Sequence, residues 1–349
     1  MRADVRRIIL GLALAAAASR PSLLPAPPVN QPVLGVAVDL EASASPAARQ
    51  AALESVRRTG AVFFVLEVSW SAAEPRPRTY QLEKITRAAR VLRQSGATLH
   101  LDLPLVTESA RDVPSDLSTV AFDDPRLSLR LGHLLEALQP ALLDFQTISL
   151  GEGADAYFAA HREELHAYRR LFDGAVQFLG KRAPHLLVGV TTAAPTESRA
   201  PEVAGALHRR SPALFYVYSA LARAEPFTER DPSALEADWT ALVKSAAGRP
   251  IGFPVVSYSS SPANGSNPEK QAEFVRQLRR FVTRSDRGAV LFVRYVGLRD
   301  SPEPAKAAEE SETERRRRAF LSNRGLQRSD GNPKPAWREW VRAGTPVKR

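Results

Sequence analysis

Asp144–Phe158 reads DFQTISLGEGADAYF. It opens as a short apolar-rich run, breaks at Gly151-Glu152-Gly153, and resumes with helical spacing through Tyr157, Phe158, His161 and Tyr168. A strand that stops at glycines and leaves a carboxylate in the following loop is how a parallel barrel brings reactive groups to its carboxyl face. The same alternation recurs in both directions from this stretch. Strand-type runs occupy 33–40, 61–70 and 97–105 before it, then 186–192, 214–219, 251–258 and 288–298 after it. Helix-type patterns fill 46–59, 82–95, the segment opened by Asp124-Pro125, 163–182 and 268–283. Eight strand signals separated by helix signals predict an α/β protein, a (β/α)8 TIM barrel forming one domain over residues 32–345. A doubly wound open sheet shares the alternation, but no Gly-x-Gly-x-x-Gly follows the first strand to support one.

The composition agrees with a globular chain: 44% of the 349 residues are apolar and 25% are charged. There is no cysteine, which excludes disulfides, thiolate metal sites, a cysteine nucleophile and a lipidated N-terminal cysteine. Met1–Arg7 carries three arginines, Ile8–Ala18 is apolar, and Ala16-Ala17-Ala18 offers small residues for cleavage. That order predicts a signal peptide over residues 1–19, followed by a Pro-rich linker over 20–31 and export to the periplasm or beyond. The apolar run falls short of the roughly 17–25 residues a membrane-spanning helix needs. No stable span is expected after cleavage.

The net charge is +10. Its densest cluster, Arg315–Arg318, follows Glu309, Glu310, Glu312 and Glu314. Opposite charges on adjacent helical turns pair locally, so this segment reads as a surface helix and not as a nucleic-acid patch. The six histidines are scattered, and His161 and His166 lack the His-Glu-x-x-His spacing of a zinc site. No cofactor or metal is expected. No Gly-x-Ser-x-Gly elbow accompanies the serines at 259–261.

Further motifs line up in order. Trp70, Glu74, Pro75 and Tyr80 follow the second strand. Phe122-Asp123-Asp124-Pro125 follows the third, and Asp155, Tyr157 and Phe158 follow the fourth. Tyr218 with Asp231-Pro232 ends the sixth, Tyr258 with Asn264-Gly265 ends the seventh, and Asp330-Gly331-Asn332-Pro333-Lys334-Pro335-Ala336 closes the chain. This series resembles the (β/α)8 glycoside hydrolases of the clan that includes galactanases and cellulases, over roughly residues 32 to 341. The resemblance implies a carbohydrate ligand, an oligo- or polysaccharide, and two catalytic glutamates. One is the acid/base in a Gly-Asn-Glu after the fourth strand, and the other is the nucleophile in the seventh. Here Gly151 matches the first Gly, Glu152 stands at the Asn and Gly153 at the Glu. Aligned on Tyr258, Val255 stands at the nucleophile. Neither Val255 nor Gly153 can attack an anomeric carbon or protonate a leaving oxygen.

Other carboxylates remain at strand ends. Glu152 is the candidate acid/base, with Asp102 in the third strand and Glu67 in the second as candidate partners. An inverting layout, with carboxyls about 6.5–9.5 Å apart, tolerates the missing strand-seven acid. Thr98, His100 and Asp102 share one face of the third strand. His100 pairing with Asp102, and Glu67 pairing with Arg294, are the structural alternatives. Trp70, Tyr157, Tyr218 and Tyr258 are candidates for stacking on sugar rings, with His100, Asp155 and Arg294 as polar contacts. The reading that emerges is a carbohydrate-binding protein on a hydrolase scaffold with a degenerate catalytic pair, a pseudoenzyme. The alternatives are an active O-glycosyl hydrolase working through Glu152, and a non-catalytic envelope or assembly protein.

Overall fold

A computed structural model describes residues 31–37, 54, 56, 59–302 and 310–342. The expected signal peptide and linker, and most of the helix expected over 46–59, lie outside the described residues. Nine parallel strands are present among the described residues: β1 (Val33–Val36), β2 (Phe63–Glu67), β3 (Thr98–Asp102), β4 (Thr147–Ser149), β5 (Leu187–Gly189), β6 (Thr191–Ala193), β7 (Leu214–Tyr218), β8 (Ile251–Val256) and β9 (Val290–Tyr295). They form two runs, β2-β3-β4-β5 and β1-β9-β8-β7-β6. β5 and β6 are two halves of one strand interrupted at Val190; the first half pairs with β4 and the second with β7. At the other seam Val62 N donates to Leu34 O at 2.9 Å, joining the segment before β2 to β1. The runs therefore close into an eight-stranded barrel, in which β7, β8 and β9 are the sixth, seventh and eighth strands.

Helices cover the outside. α1 (Trp70–Ala73) and α2 (Glu83–Gln94) precede β3, and α3 (Pro125–Leu142) precedes β4. After β4 come α4 (Ala154–Ala160) and α5 (Leu165–Arg182), then α6 (Pro201–Leu207), α7 (Ala234–Ser245) and α8 (Pro268–Arg284). α9 (Glu312–Ser322) and α10 (Pro335–Arg342) complete the chain. Local chemistry sets the starts. Asp124 accepts from Arg126 N at 2.8 Å ahead of Pro125, and Asn267 accepts from Lys270 N at 2.8 Å ahead of Pro268. Both pair an N-cap side chain with a proline at the first helical position. α9 opens on a capping box made by Ser311 and Glu314. Three of its arginines pair within the segment, Arg315 and Arg316 with Glu312 and Arg318 with Glu310, and Arg316 also reaches Thr228 and Glu225. The charge run is a surface helix, as its sequence suggested.

The barrel floor is a plug of rings. Phe63 and Phe292 stack with centroids 4.1 Å apart, and His100 meets Phe215 edge-on at 4.9 Å and Phe292 at 5.3 Å. Glycines make room for it. A Cβ at Gly252 would lie 2.4 Å from the Phe292 ring, and one at Gly189 would lie 2.7 Å from that of Phe215. The plug fixes which strand face points inward. Residues two apart share a face. Thus Val65 and Glu67 follow Phe63 into the lumen, Asp102 follows His100, Val217 and Ser219 follow Phe215, and Arg294 follows Phe292. The opposite face packs on the helices. Leu99 and Leu101 belong to one apolar layer, and Tyr216, Tyr218, Tyr258 and Tyr295 to the other.

Candidate functional site

Glu67 and Asp102 are cross-strand partners at the carboxyl ends of β2 and β3, both on the inward face. Asp102 is in turn opposite Ser149 of β4. Three residues beyond Ser149, Glu152 N donates to Val106 O at 2.9 Å, which ties the Gly-Glu-Gly turn to the exit of the third strand. Arg294 enters from β9, opposite Gly35 of β1. Glu67, Glu152 and Arg294 are half-buried and Asp102 is buried. Burial holds the Asp102 carboxyl well above the usual aspartate range. Negative charge on Glu152 and Glu67 adds to that shift, and Arg294 opposes it. The structure therefore gathers three sequence candidates, Glu67, Asp102 and Glu152, with Arg294 at one side of the mouth. Chemically this is a carboxyl with a raised pKa beside two further carboxyl groups and a guanidinium.

His100 lies one layer deeper. Its Nδ1 is 2.7 Å from Thr147 Oγ1, and its Nε2 has no hydrogen-bond partner. It makes no bond to Asp102, so the pairing suggested by their shared face does not form; Thr147 on the neighbouring strand is nearer in register. Burial, and secondarily the charge of Arg294, lowers its pKa to about 3, so the ring is neutral.

Across the mouth the seventh strand supplies no acid. A register shift between Phe253 and Val256 turns Val255 and Ser257 inward. Ser257 Oγ is 2.8 Å from Ser219 Oγ of the sixth strand's exit. At the fourth strand Ser149 Oγ donates to Gly151 O at 2.8 Å and lies 2.9 Å from Thr191 Oγ1. Gly153 adopts φ +61° and lies beneath the Glu108 side chain.

The aromatic candidates are placed elsewhere. Trp70 is fully buried in the helix layer, and its Nε1 donates to Glu74 at 2.8 Å. Tyr218 and Tyr258 are fully buried on the outward face of their strands. The Tyr218 hydroxyl donates to Asp238 at 2.8 Å, and that of Tyr258 to Arg230 O at 2.7 Å. Tyr157 donates to Glu164 at 2.8 Å and packs its ring on Phe158 and His161. Asp155 is buried and accepts from Ser198 Oγ at 2.6 Å and Ala193 N at 3.0 Å, tying α4 to the fifth strand's exit. These five side chains pack and bond within the wall rather than meeting at the mouth. His161 does group with Glu163 and Glu164, their ligand atoms within 4.8 Å of one another. Glu164 in that group is already engaged by Arg111, at 2.7 Å, and by Tyr157.

Two carboxyls escaped the sequence reading because loops carry them. Glu229 follows β7, and its carboxylate accepts from Ser259 N at 2.6 Å, just past the seventh strand. Burial pushes it well above the usual glutamate range. Glu197 follows β6 and accepts from Ser219 N at 3.0 Å and Leu221 N at 3.2 Å. Glu229 thus braces the loop after the sixth strand against the exit of the seventh. No periodic signal marks such loop-to-loop contacts.

No protein-family model and no curated protein matches the sequence. Solved structures do match the fold. A GH5_18 protein from Streptomyces cattleya, in complex with GlcNAc, superposes with a TM-score of 0.67 at 18% identity, over 92% of this chain and 82% of that one. The exo-beta-1,4-mannosidase Op5Man5 from Opitutaceae bacterium strain TAV5 gives 0.63 at 16% identity, over 90% and 59%. A family 39 glycoside hydrolase from Bacteroides cellulosilyticus WH2 gives 0.62 at 14% identity, over 91% and 64%. The eight-stranded closure and these superpositions agree: the chain has the α/β barrel fold of this group of glycoside hydrolases.

Proposed function

We propose that this protein binds carbohydrate in the mouth of a glycoside-hydrolase barrel and does not hydrolyse it by the two-glutamate route. The observation that carries the proposal is the inward face of the seventh strand. Retaining hydrolysis needs a carboxyl there, about 5–5.5 Å from its partner. Val255 and Ser257 occupy that face instead, with Ser257 engaged by Ser219. On the fourth strand Gly153 stands at the acid/base position. The half-buried Glu67, Glu152 and Arg294 supply polar groups of the kind that fix a sugar's orientation. Similar structures hold GlcNAc and Manb1-4GlcNAc, so hexosamine-containing glycans head the set of ligands.

One observation favours a second reading. Burial and the negative charge of Glu152 and Glu67 push the Asp102 carboxyl well above the usual aspartate range, in the direction that the division between an acid and a base requires. An inverting hydrolase built on Glu152 and Asp102 would use it. Hydrolysis of aryl glycosides and of plant and bacterial polysaccharides, with wild type beside Glu152→Gln, separates the two. No turnover with saturable binding of one glycan supports the binding protein. Turnover lost in Glu152→Gln makes it a hydrolase. Neither turnover nor binding moves the weight to an envelope or assembly role. Among the described residues no helix is long and apolar enough to cross a membrane. Export through residues 1–19 is part of the proposal, tested by sequencing the N-terminus of the mature protein.

A further inference from the structure

On the outer wall of the barrel, α2 and α3 enclose a groove of about 490 Å³ whose lining includes Tyr80, Leu82, Arg87, Arg90, Val91 and Pro140. The large apolar side chains that stand exposed among the described residues gather at the same wall. They are Val91 on α2, Leu129 on α3 and Leu143 at the C-cap of α3, the last two 62% and 65% exposed. Helical periodicity returns Leu129, Pro140 and Leu143 to one face, and Pro140 carries that stripe to the groove. An apolar side chain exposed singly means little, but several grouped beside a hollow mark a contact surface.

The charge of this wall is one-sided. α2 carries Lys84, Arg87, Arg90 and Arg93 against a single acid, Glu83. Among the described residues the guanidinium groups of Arg87 and Arg90 make no ion pair or hydrogen bond. Glu136, the one acid within α3, pairs instead with Arg182 of α5 at 3.4 Å. The basic run of α9, by contrast, brings its own acids. The Tyr80 hydroxyl in the lining also has no hydrogen-bond partner.

We propose that this groove docks an acidic amphipathic helix of a partner protein. The partner's apolar face packs on Val91, Pro140 and the stripe of Leu129 and Leu143. Its carboxylates meet Arg87 and Arg90, which stand one turn apart. From Leu129 to Leu143 the stripe runs about 21 Å, the length of a helix of about four turns. A second copy seated groove to groove would set Arg87 and Arg90 against themselves, in a chain already charged +10. A flat bilayer surface would leave the hollow between the two helices unfilled. The proposal is independent of what the barrel mouth binds.

The test is fluorescence anisotropy on the whole chain with a set of labelled acidic helices of about 15 residues, with leucine on one face and glutamate on the other. Scrambled peptides of the same composition, lysine-for-glutamate versions and phosphatidylglycerol vesicles are the comparisons. The expected result is at least one acidic helix bound about tenfold or more tighter than its scramble. Arg87→Glu with Arg90→Glu should weaken it about tenfold or more, and Leu129→Ser with Leu143→Ser should do the same. All four side chains are exposed, and thermal melts should show both variants folded. Arg280→Glu with Arg317→Glu, on α8 and α9, changes the net charge equally and should leave binding within about twofold. Equal weakening by the two charge-reversed pairs, equal binding of the scramble or of the lysine version, or no binding of any acidic helix overturns the proposal. Binding of vesicles with no helix preferred also overturns it and assigns the face to a membrane surface.

Discussion

Glu108 lies directly over Gly153: a Cβ at residue 153 would stand 2.3 Å from Glu108 Cγ, on a backbone already at φ +61°. A glutamate side chain at residue 153 would meet both obstacles. Gly153→Ala should cost about 1–2 kcal/mol for the left-handed backbone alone. Pairing it with Glu108→Ala should relieve the steric part and leave the backbone part. Urea denaturation of the two single variants and the double would show this as a positive coupling. Gly153→Glu should gain no hydrolysis.

Trp70 belongs to the motif series that resembles those hydrolases, yet it is spent on packing. Trp70→Phe should destabilise by about 1–3 kcal/mol, because buried Glu74 loses the donor to its Oε2. Glycan affinity of the folded variant should stay within about twofold of wild type, since the ring has no face in the lumen. Denaturation and calorimetry on one preparation measure both.

Asp102 ties stability to pH. Its folded pKa lies above the unfolded value, so between the two the native state holds more protons than the unfolded chain. Stability then falls as pH rises from about 4 through the folded pKa. Asp102→Asn removes the penalty. The variant should gain on wild type steadily as pH rises above about 4, and the two should converge below it. Melts across a pH series would show parallel curves if Asp102 were not involved.

Lys334 is buried and donates to Asp300 at 2.6 Å and Ser260 at 2.8 Å, fastening the C-terminal segment to the exits of the last two strands. Lys334→Met should cost about 3–5 kcal/mol by leaving the Asp300 charge buried without its cation. Lys334→Met with Asp300→Asn should recover a large share of that loss in guanidinium denaturation, because the stranded charge is gone.

Strand order and closure were legible in the sequence because each strand is a short apolar run ended by glycine or a polar turn. The acid cluster was legible for the same reason: Glu67, Asp102, Glu152 and Arg294 all fall at or just beyond the carboxyl ends of strands. What the sequence concealed is which strand face is inside. In Leu214–Tyr218 both faces are apolar or aromatic, as in any strand buried on both sides. Nothing local says that Phe215 enters the lumen while Tyr216 and Tyr218 face the helices. The register shifts in β8 add a further offset at Val255. Tyr218 and Tyr258 were therefore read onto the wrong side of their own strands, while Tyr216 packs on the helices as expected. Glu229 and Glu197 were hidden differently, since each is fixed by the backbone of another strand's loop.

The rings of Phe63, Phe292, Phe215 and His100 make the barrel a cup with a sealed base and one door. Whatever enters must leave by the way it came. A long glycan bound as proposed would not thread through; it would offer one end to the acids below the rim or lie across the rim with a single unit dipped. End-group chemistry, more than chain length, would then govern how tightly such a polymer is held.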